Sequence, residues 1–202
     1  MTIDLHRGHL DPEVATLPLP AEVSRRVVEA NVRFLQAARD AGLPVIHMVT
    51  SYRDAEEISG NAFWRAIADT GATRANVLRH NLAYLPGTQL MPGVLADGDR
   101  VVSTKKRYDC FLQTDLDFVL RRLGANTLLI TGVNTNSCVL ATTIAASVRD
   151  FACIVVQECV DTVDGPEYAE AAVECIRRAF GWVLPAAEAL DHVRQAAALR
   201  SH

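Results

Sequence analysis

Residues 128–142, LLITGVNTNSCVLAT, decide how this chain is read. Leu128, Leu129 and Ile130 have the unbroken apolar character of a buried strand. Thr131 to Ser137 supply the glycine, asparagine and hydroxyl side chains of a tight turn, and Val139 onward reads as an apolar helix. Cys138 thereby falls in the first turn of that helix. Backbone N–H groups there lack intrahelical partners and sit at the positive end of the helix dipole, which favours thiolate over thiol and can hold a developing oxyanion. The competing reading is packing, because cysteine is among the most buried residue types.

Outward from this stretch, strand-like and helical runs alternate along the chain. The patterns predict strands over Thr2 to Leu5, Val45 to Val49, Arg100 to Ser103, Thr127 to Ile130, Ala152 to Val156 and Trp182 to Leu184. Helices are predicted over Ala21 to Ala41, Asn61 to Ala68, Thr114 to Leu123, Cys138 to Arg149, Glu167 to Ala179 and Ala186 to Leu199, with an irregular stretch through RHNLAYLPGTQLMPG. Such alternation implies an α/β fold: one domain over 1–202, three layers α/β/α, and a mostly parallel central sheet of about six strands. Ligands of these sheets bind beyond the carboxyl ends of the strands. That edge receives Asp4 from the first strand, His47 to Arg53 from the second, Lys105 from the third and the Cys138 turn from the fourth.

Composition excludes several classes. The 202 residues are 50% apolar and 22% charged with a formal charge of −4, and no basic stripe is present to neutralise phosphates, so a nucleic-acid partner is not expected. Five cysteines at 110, 138, 153, 159 and 175 form no CxxC pair, which suits a reducing compartment rather than a disulfide framework or zinc knuckle. Met1 leads into TIDLHRGH without a basic n-region, and no apolar run approaches membrane-spanning length. A cytoplasmic protein without membrane contact is the expectation. A dinucleotide-binding protein ranks last, since Asp4 is followed by LHRGHL rather than GxGxxG.

A cysteine nucleophile needs a base for its proton and a positive neighbour for the thiolate. Asp4 and Lys105 are suited to these tasks; alone, each is as readily a turn residue or a solvated side chain. With Asp4, Lys105–Phe111 as KKRYDCF and Thr131–Val139 as TGVNTNSCV in this order, the chain resembles the isochorismatase-like cysteine hydrolases. Pro86-Gly87-Thr88 and Phe180-Gly181-Trp182-Val183 extend the likeness over nearly the whole chain.

The resemblance implies a Cys138 nucleophile, an Asp4 proton shuttle and Lys105 as the third member of a triad. It also implies a cis peptide between Val133 and Asn134 that aims the Asn134 N–H, with that of Cys138, at a substrate oxyanion, and Thr135 as a brace of the turn. The implied activity is hydrolysis of a small carboxamide, carbamoyl or ureido compound through a thioester, with ammonia released and no cofactor. Homo-oligomers, dimers or tetramers, are frequent in the family. A non-catalytic binding protein that keeps the fold is the alternative from another class, and nicotinamidase-type activity without the usual metal is another.

Departures from the family pattern bear on the substrate. His6 and His9 stand where relatives carry glutamine and an aromatic residue, which suggests a small polar substrate; His9 as a loop cap is the equal alternative. Ser51–Glu57 contains no histidine and the next one is His80, so no metal is expected. True isochorismatases lack the nucleophilic cysteine that this chain has. Arg53, Trp64, Arg107, Tyr108 and Trp182 are further pocket candidates. Either arginine can clamp a carboxylate or serve in a surface ion pair, and for the tryptophans packing is the preferred role. Ala145 replaces an acidic residue frequent in the family. Only three residues precede Asp4, so either a clipped first strand is tolerated or the natural start lies upstream.

Overall fold

The computed structural model describes residues 1–200, the side chains of 197–200 excepted. Six strands form one all-parallel sheet in the order β3-β2-β1-β4-β5-β6. They are β1 (Thr2–Ile3), β2 (Ile46–Thr50), β3 (Arg100–Lys105), β4 (Thr127–Val133), β5 (Ala152–Asp161) and β6 (Trp182–Leu184). The chain runs from central β1 outward to β3, then returns to β4 on the other side of β1. That reversal places the topological switch point between β1 and β4, where α/β sheets bind their ligands.

Helices cover both faces. α2 (Ala21–Asp40) buries Val27, Ala30, Phe34, Leu35 and Ala38, a spacing that lines one helical face. With Ala189 and Leu190 of α8 (Ala186–Arg200), Ala30, Phe34 and Ala38 pack on Val156 and Cys159 of β5. On the opposite face α5 (Leu116–Arg122), α6 (Leu140–Ser147) and α7 (Pro166–Ala179) bring Leu116, Val119, Leu120, Ala146 and Ile176 against Ile3, Ile130 and Val155. Each fully buried aliphatic side chain among them contributes about 1.5–3 kcal/mol relative to exposure.

Several boundaries differ from those read in the sequence. β1 stops at Ile3 because Asp4 takes a left-handed backbone, φ 53°. β4 continues through Val133 where a turn was expected: Gly132, at φ 112°, lies so close to the Ile3 backbone that no Cβ fits between them. β5 runs to Asp161, since the exposed pair Gln157-Glu158 is an irregularity within the strand rather than its end. Ile130 pairs with Val155 and Gly132 already with Val160. A π-helical turn, Thr135–Val139, precedes α6, so Cys138 lies before that helix rather than within its first turn. Short helices α1 (Arg7–Leu10) and α3 (Ala55–Ser59) lie outside the expected elements, and α4 (Ala62–Ile67) falls within the expected helix. No described helix is long and apolar enough to cross a membrane.

Candidate active site

Four strand ends meet at the switch point. Asp4 follows β1, Thr50 ends β2, Lys105 ends β3, and Cys138 lies in the π turn after β4. The backbone turn at Asp4 swings its carboxylate across the strand ends, anchored by Asp4 N–H donating to the Met48 carbonyl at 2.9 Å. Thr50 donates to Asp4 Oδ1 from its N–H at 2.9 Å and its hydroxyl at 2.8 Å. Lys105 Nζ donates to Asp4 Oδ2 at 2.7 Å, Thr50 Oγ1 at 2.5 Å and Cys138 Sγ at 3.4 Å. All three ammonium protons are thereby used, and Asp4, Lys105 and Cys138 are almost wholly buried.

The electrostatics follow from that burial. Burial alone raises the Asp4 carboxyl pKa, but the Lys105 charge and hydrogen bonding hold it well below the usual range. Burial likewise works against Lys105, which Asp4 nevertheless keeps well above its ordinary value. For Cys138 burial wins over Lys105 and pushes the thiol up to about 11. The thiolate preference anticipated from a helix start is therefore reversed at rest. Asp4 is charged, Lys105 is charged, and the sulfur holds its proton.

The Val133–Asn134 peptide is cis. Asn134 accepts hydrogen bonds from the N–H groups of Ser137 and Val139 at its carbonyl, both at 3.1 Å, and from Val163 N–H at its side-chain oxygen, 2.9 Å. Thr135 does not brace this turn: its buried hydroxyl has no partner among the described residues. Asn136 does so instead, accepting from the Thr162 hydroxyl at 2.7 Å and donating to Asp164 at 2.9 Å.

A cavity of about 30 Å³ adjoins Asp4, Lys105 and Cys138. Trp64, Arg107 and Tyr108 line it as well. The Arg107 guanidinium stacks over Trp64 at 4.9 Å and donates to the carbonyls of Lys106 and Glu57 at 2.7 and 3.1 Å. Arg53 is placed elsewhere. Its exposed side chain pairs with Glu57, because Asp54 caps α3 and turns the chain outward there. Trp182 is exposed on edge strand β6, neither packed nor in the cavity. A larger groove of about 470 Å³ runs along β3 past Val49, Leu95 and Val101, and none of its lining residues is titratable.

Sequence reading missed Arg74, which donates to Tyr108 Oη at 3.3 Å and Ser137 Oγ at 3.2 Å and is ion-paired with Asp164. Arg74 lies in an aperiodic stretch that offers no local signal. Asp164 would have followed from the strand-end rule had β5 been read to its full length. His6, His9 and His80 also come together, all buried. The expectation of no metal rested on the lack of a histidine in Ser51–Glu57, His80 being the next one along the chain; His80 instead meets His6 and His9 from the segment after the first strand.

The profile of the isochorismatase domain matches residues 2–188. The maleamate amidohydrolase of Pseudomonas putida is 28% identical over 98% of this chain and 87% of its own length. The ureidoacrylate amidohydrolase of Methylorubrum extorquens is 29% identical over 78% of this chain and 66% of its own length. Among solved structures, a cysteine hydrolase from Pseudomonas syringae pv. phaseolicola superposes with a TM-score of 0.82 at 22% identity, covering 96% of this chain and 91% of that one. Profile, relatives and fold converge: the chain belongs to the isochorismatase family.

Proposed function

We propose that this protein is a cysteine-dependent amidohydrolase acting on a small carboxamide, carbamoyl or ureido compound. The observation that carries the reading is the buried Lys105 ammonium, shared between Asp4 at 2.7 Å and Cys138 at 3.4 Å. Relatives named as amidohydrolases for maleamate and ureidoacrylate support it.

In this mechanism Sγ of Cys138 attacks the amide carbon while its proton passes to Asp4. Burial holds the proton on sulfur while the Lys105 charge holds the carboxylate ionised, so transfer before attack is uphill. Proton transfer therefore accompanies C–S bond formation, as negative charge leaves sulfur for the carbonyl oxygen. The N–H groups of Asn134 and Cys138 receive that oxyanion. Asp4 next protonates the departing nitrogen, the C–N bond breaks and ammonia leaves a thioester. Asp4, deprotonated again, takes a proton from water as it attacks, and the acid departs with the thiol restored. Lys105 stays charged and keeps Asp4 and sulfur in place.

Arg107 favours substrates that carry an anionic group, because its guanidinium lines the cavity with only carbonyl partners. The test is ammonia release from maleamate, ureidoacrylate, N-carbamoyl amino acids, biuret and nicotinamide, with trapping of an acyl adduct on Cys138 by intact-protein mass spectrometry. Turnover of at least one compound, with the adduct absent from Cys138→Ser, is the expected result. Folded enzyme that releases ammonia from none of them overturns the reading.

A further inference from the structure

His6, His9 and His80 stand beside the triad with no part in the chemistry above. We propose that these three side chains form a binding site for a zinc-class divalent cation, with an open coordination position toward the Cys138 cavity. One nitrogen of each ring lies within 4.8 Å of one nitrogen of both others. The rings pack on one another, with centroids 5.1 Å apart for His6 and His9 and 4.4 Å apart for His9 and His80.

Each ring is oriented from behind. His9 Nδ1–H donates to the Leu17 carbonyl at 3.0 Å, and His80 Nδ1 shares a hydrogen bond with the Thr16 hydroxyl at 3.0 Å. His6 Nε2 faces Asp4 Oδ1 at 3.4 Å and the Asn81 amide at 2.5 Å. Among the described residues Nδ1 of His6 and Nε2 of His80 remain for a ligand, and Nε2 of His9 has one long contact, 3.4 Å from the Asn134 side-chain amide, that a ligand would displace. A carbonyl, a hydroxyl and a carboxylate behind three imidazoles are the outer partners that metal-ligating histidines usually have.

A second observation points the same way. His6 Nδ1 is buried without a hydrogen-bond partner among the described residues, an arrangement that is costly unless something binds there. Three nitrogen donors with a fourth position left open match zinc-class geometry at ~2.0–2.1 Å per bond, which draws the nitrogens inward. His9 and His80 line the cavity shared with Cys138, so the open position faces substrate. That the ion contacts substrate rests on the amidohydrolase reading; that it binds does not.

The test uses Co²⁺ as the probe, titrated into full-length protein stripped with chelator and followed by its visible d–d spectrum and by stoichiometry. Wild type is expected to bind one Co²⁺ with a tetrahedral-type spectrum, and Cys138→Ser to bind it equally well although catalytically dead, which separates this site from thiolate capture. His80→Gln is expected to abolish binding. Thr16→Val, which spares all three ligands, is expected to weaken it ~10-fold or more. Circular dichroism checks the fold of each variant. Absence of stoichiometric Co²⁺ in wild type, loss of binding in Cys138→Ser, or wild-type binding in folded His80→Gln overturns the proposal, whatever the outcome of the ammonia assays.

Discussion

Replacing Lys105 by methionine keeps the length of the side chain and removes the one cation that touches Asp4 at 2.7 Å. Both partners are about 1% exposed, so the carboxylate left behind is almost wholly withdrawn from water. Breaking a buried pair from one side costs about 3–5 kcal/mol, a large share of the ~5–15 kcal/mol that holds a folded chain together. For a protein of this size that corresponds to a fall in Tm of roughly 6–20 °C. The sign of the pH dependence is fixed as well. In the wild type the folded carboxyl titrates below its ordinary value, so its contribution is present above ~pH 4 and lost as pH falls through the folded pKa. In Lys105→Met only the Thr50 hydrogen bonds and the His6 contact still oppose burial, so that pKa rises and the deficit grows as pH rises through the raised value. Urea midpoints of the two proteins should therefore diverge between roughly pH 4 and pH 8. Adding Asp4→Asn removes the stranded charge and should restore about 2 kcal/mol or more. A single-variant loss below ~1 kcal/mol, as for an exposed pair, would refute the reasoning, as would an Asp4→Asn change that only adds to the loss.

Three further outcomes are expected. Cys138→Ser should lose turnover by at least ~10²-fold with an unchanged urea midpoint, because it removes the nucleophile and leaves the packing; turnover near that of wild type excludes the thioester route. Gly132→Ala should yield protein destabilised by ~4 kcal/mol or more, or none in the soluble fraction, since the added carbon meets the Ile3 backbone; a thermal melt like that of wild type would show that β1 and β4 can separate there. Arg107→Ala should raise KM for an anionic amide by about 10-fold or more while Arg53→Ala leaves it unchanged, and equal effects would remove Arg107 from substrate binding.

The layered architecture and strand order of chemistry were legible because periodicity survives in short windows. The run from Leu128 to Thr142 announces a strand, a turn and a helix, and Asp4, Lys105 and Cys138 each stand just where a strand gives out. Other features depend on contacts remote in sequence. The close approach of Gly132 to Ile3 and the irregular pairing of β5 past Glu158 leave no mark in either strand's own pattern. Arg74 reaches Asp164 across 90 residues. The sign of the Cys138 shift is not legible in the sequence, because the backbone field of a helix start is local and visible whereas desolvation is set by everything packed around the sulfur.

The resting state of that sulfur has a consequence for redox chemistry. Burial pushes the Cys138 thiol above its ordinary range, so at pH 7 the sulfur is held in its protonated form. Peroxides and electrophiles attack thiolates, so the nucleophile is shielded from them until a substrate carbonyl arrives to take the charge. Cys110, Cys153 and Cys159 are buried too, and burial raises each of them. Cys175, exposed on α7, is the sulfur that an oxidant in solution meets first. A chemical count of reactive thiols therefore reports a bystander on the surface, and only a reagent shaped like the substrate counts active sites.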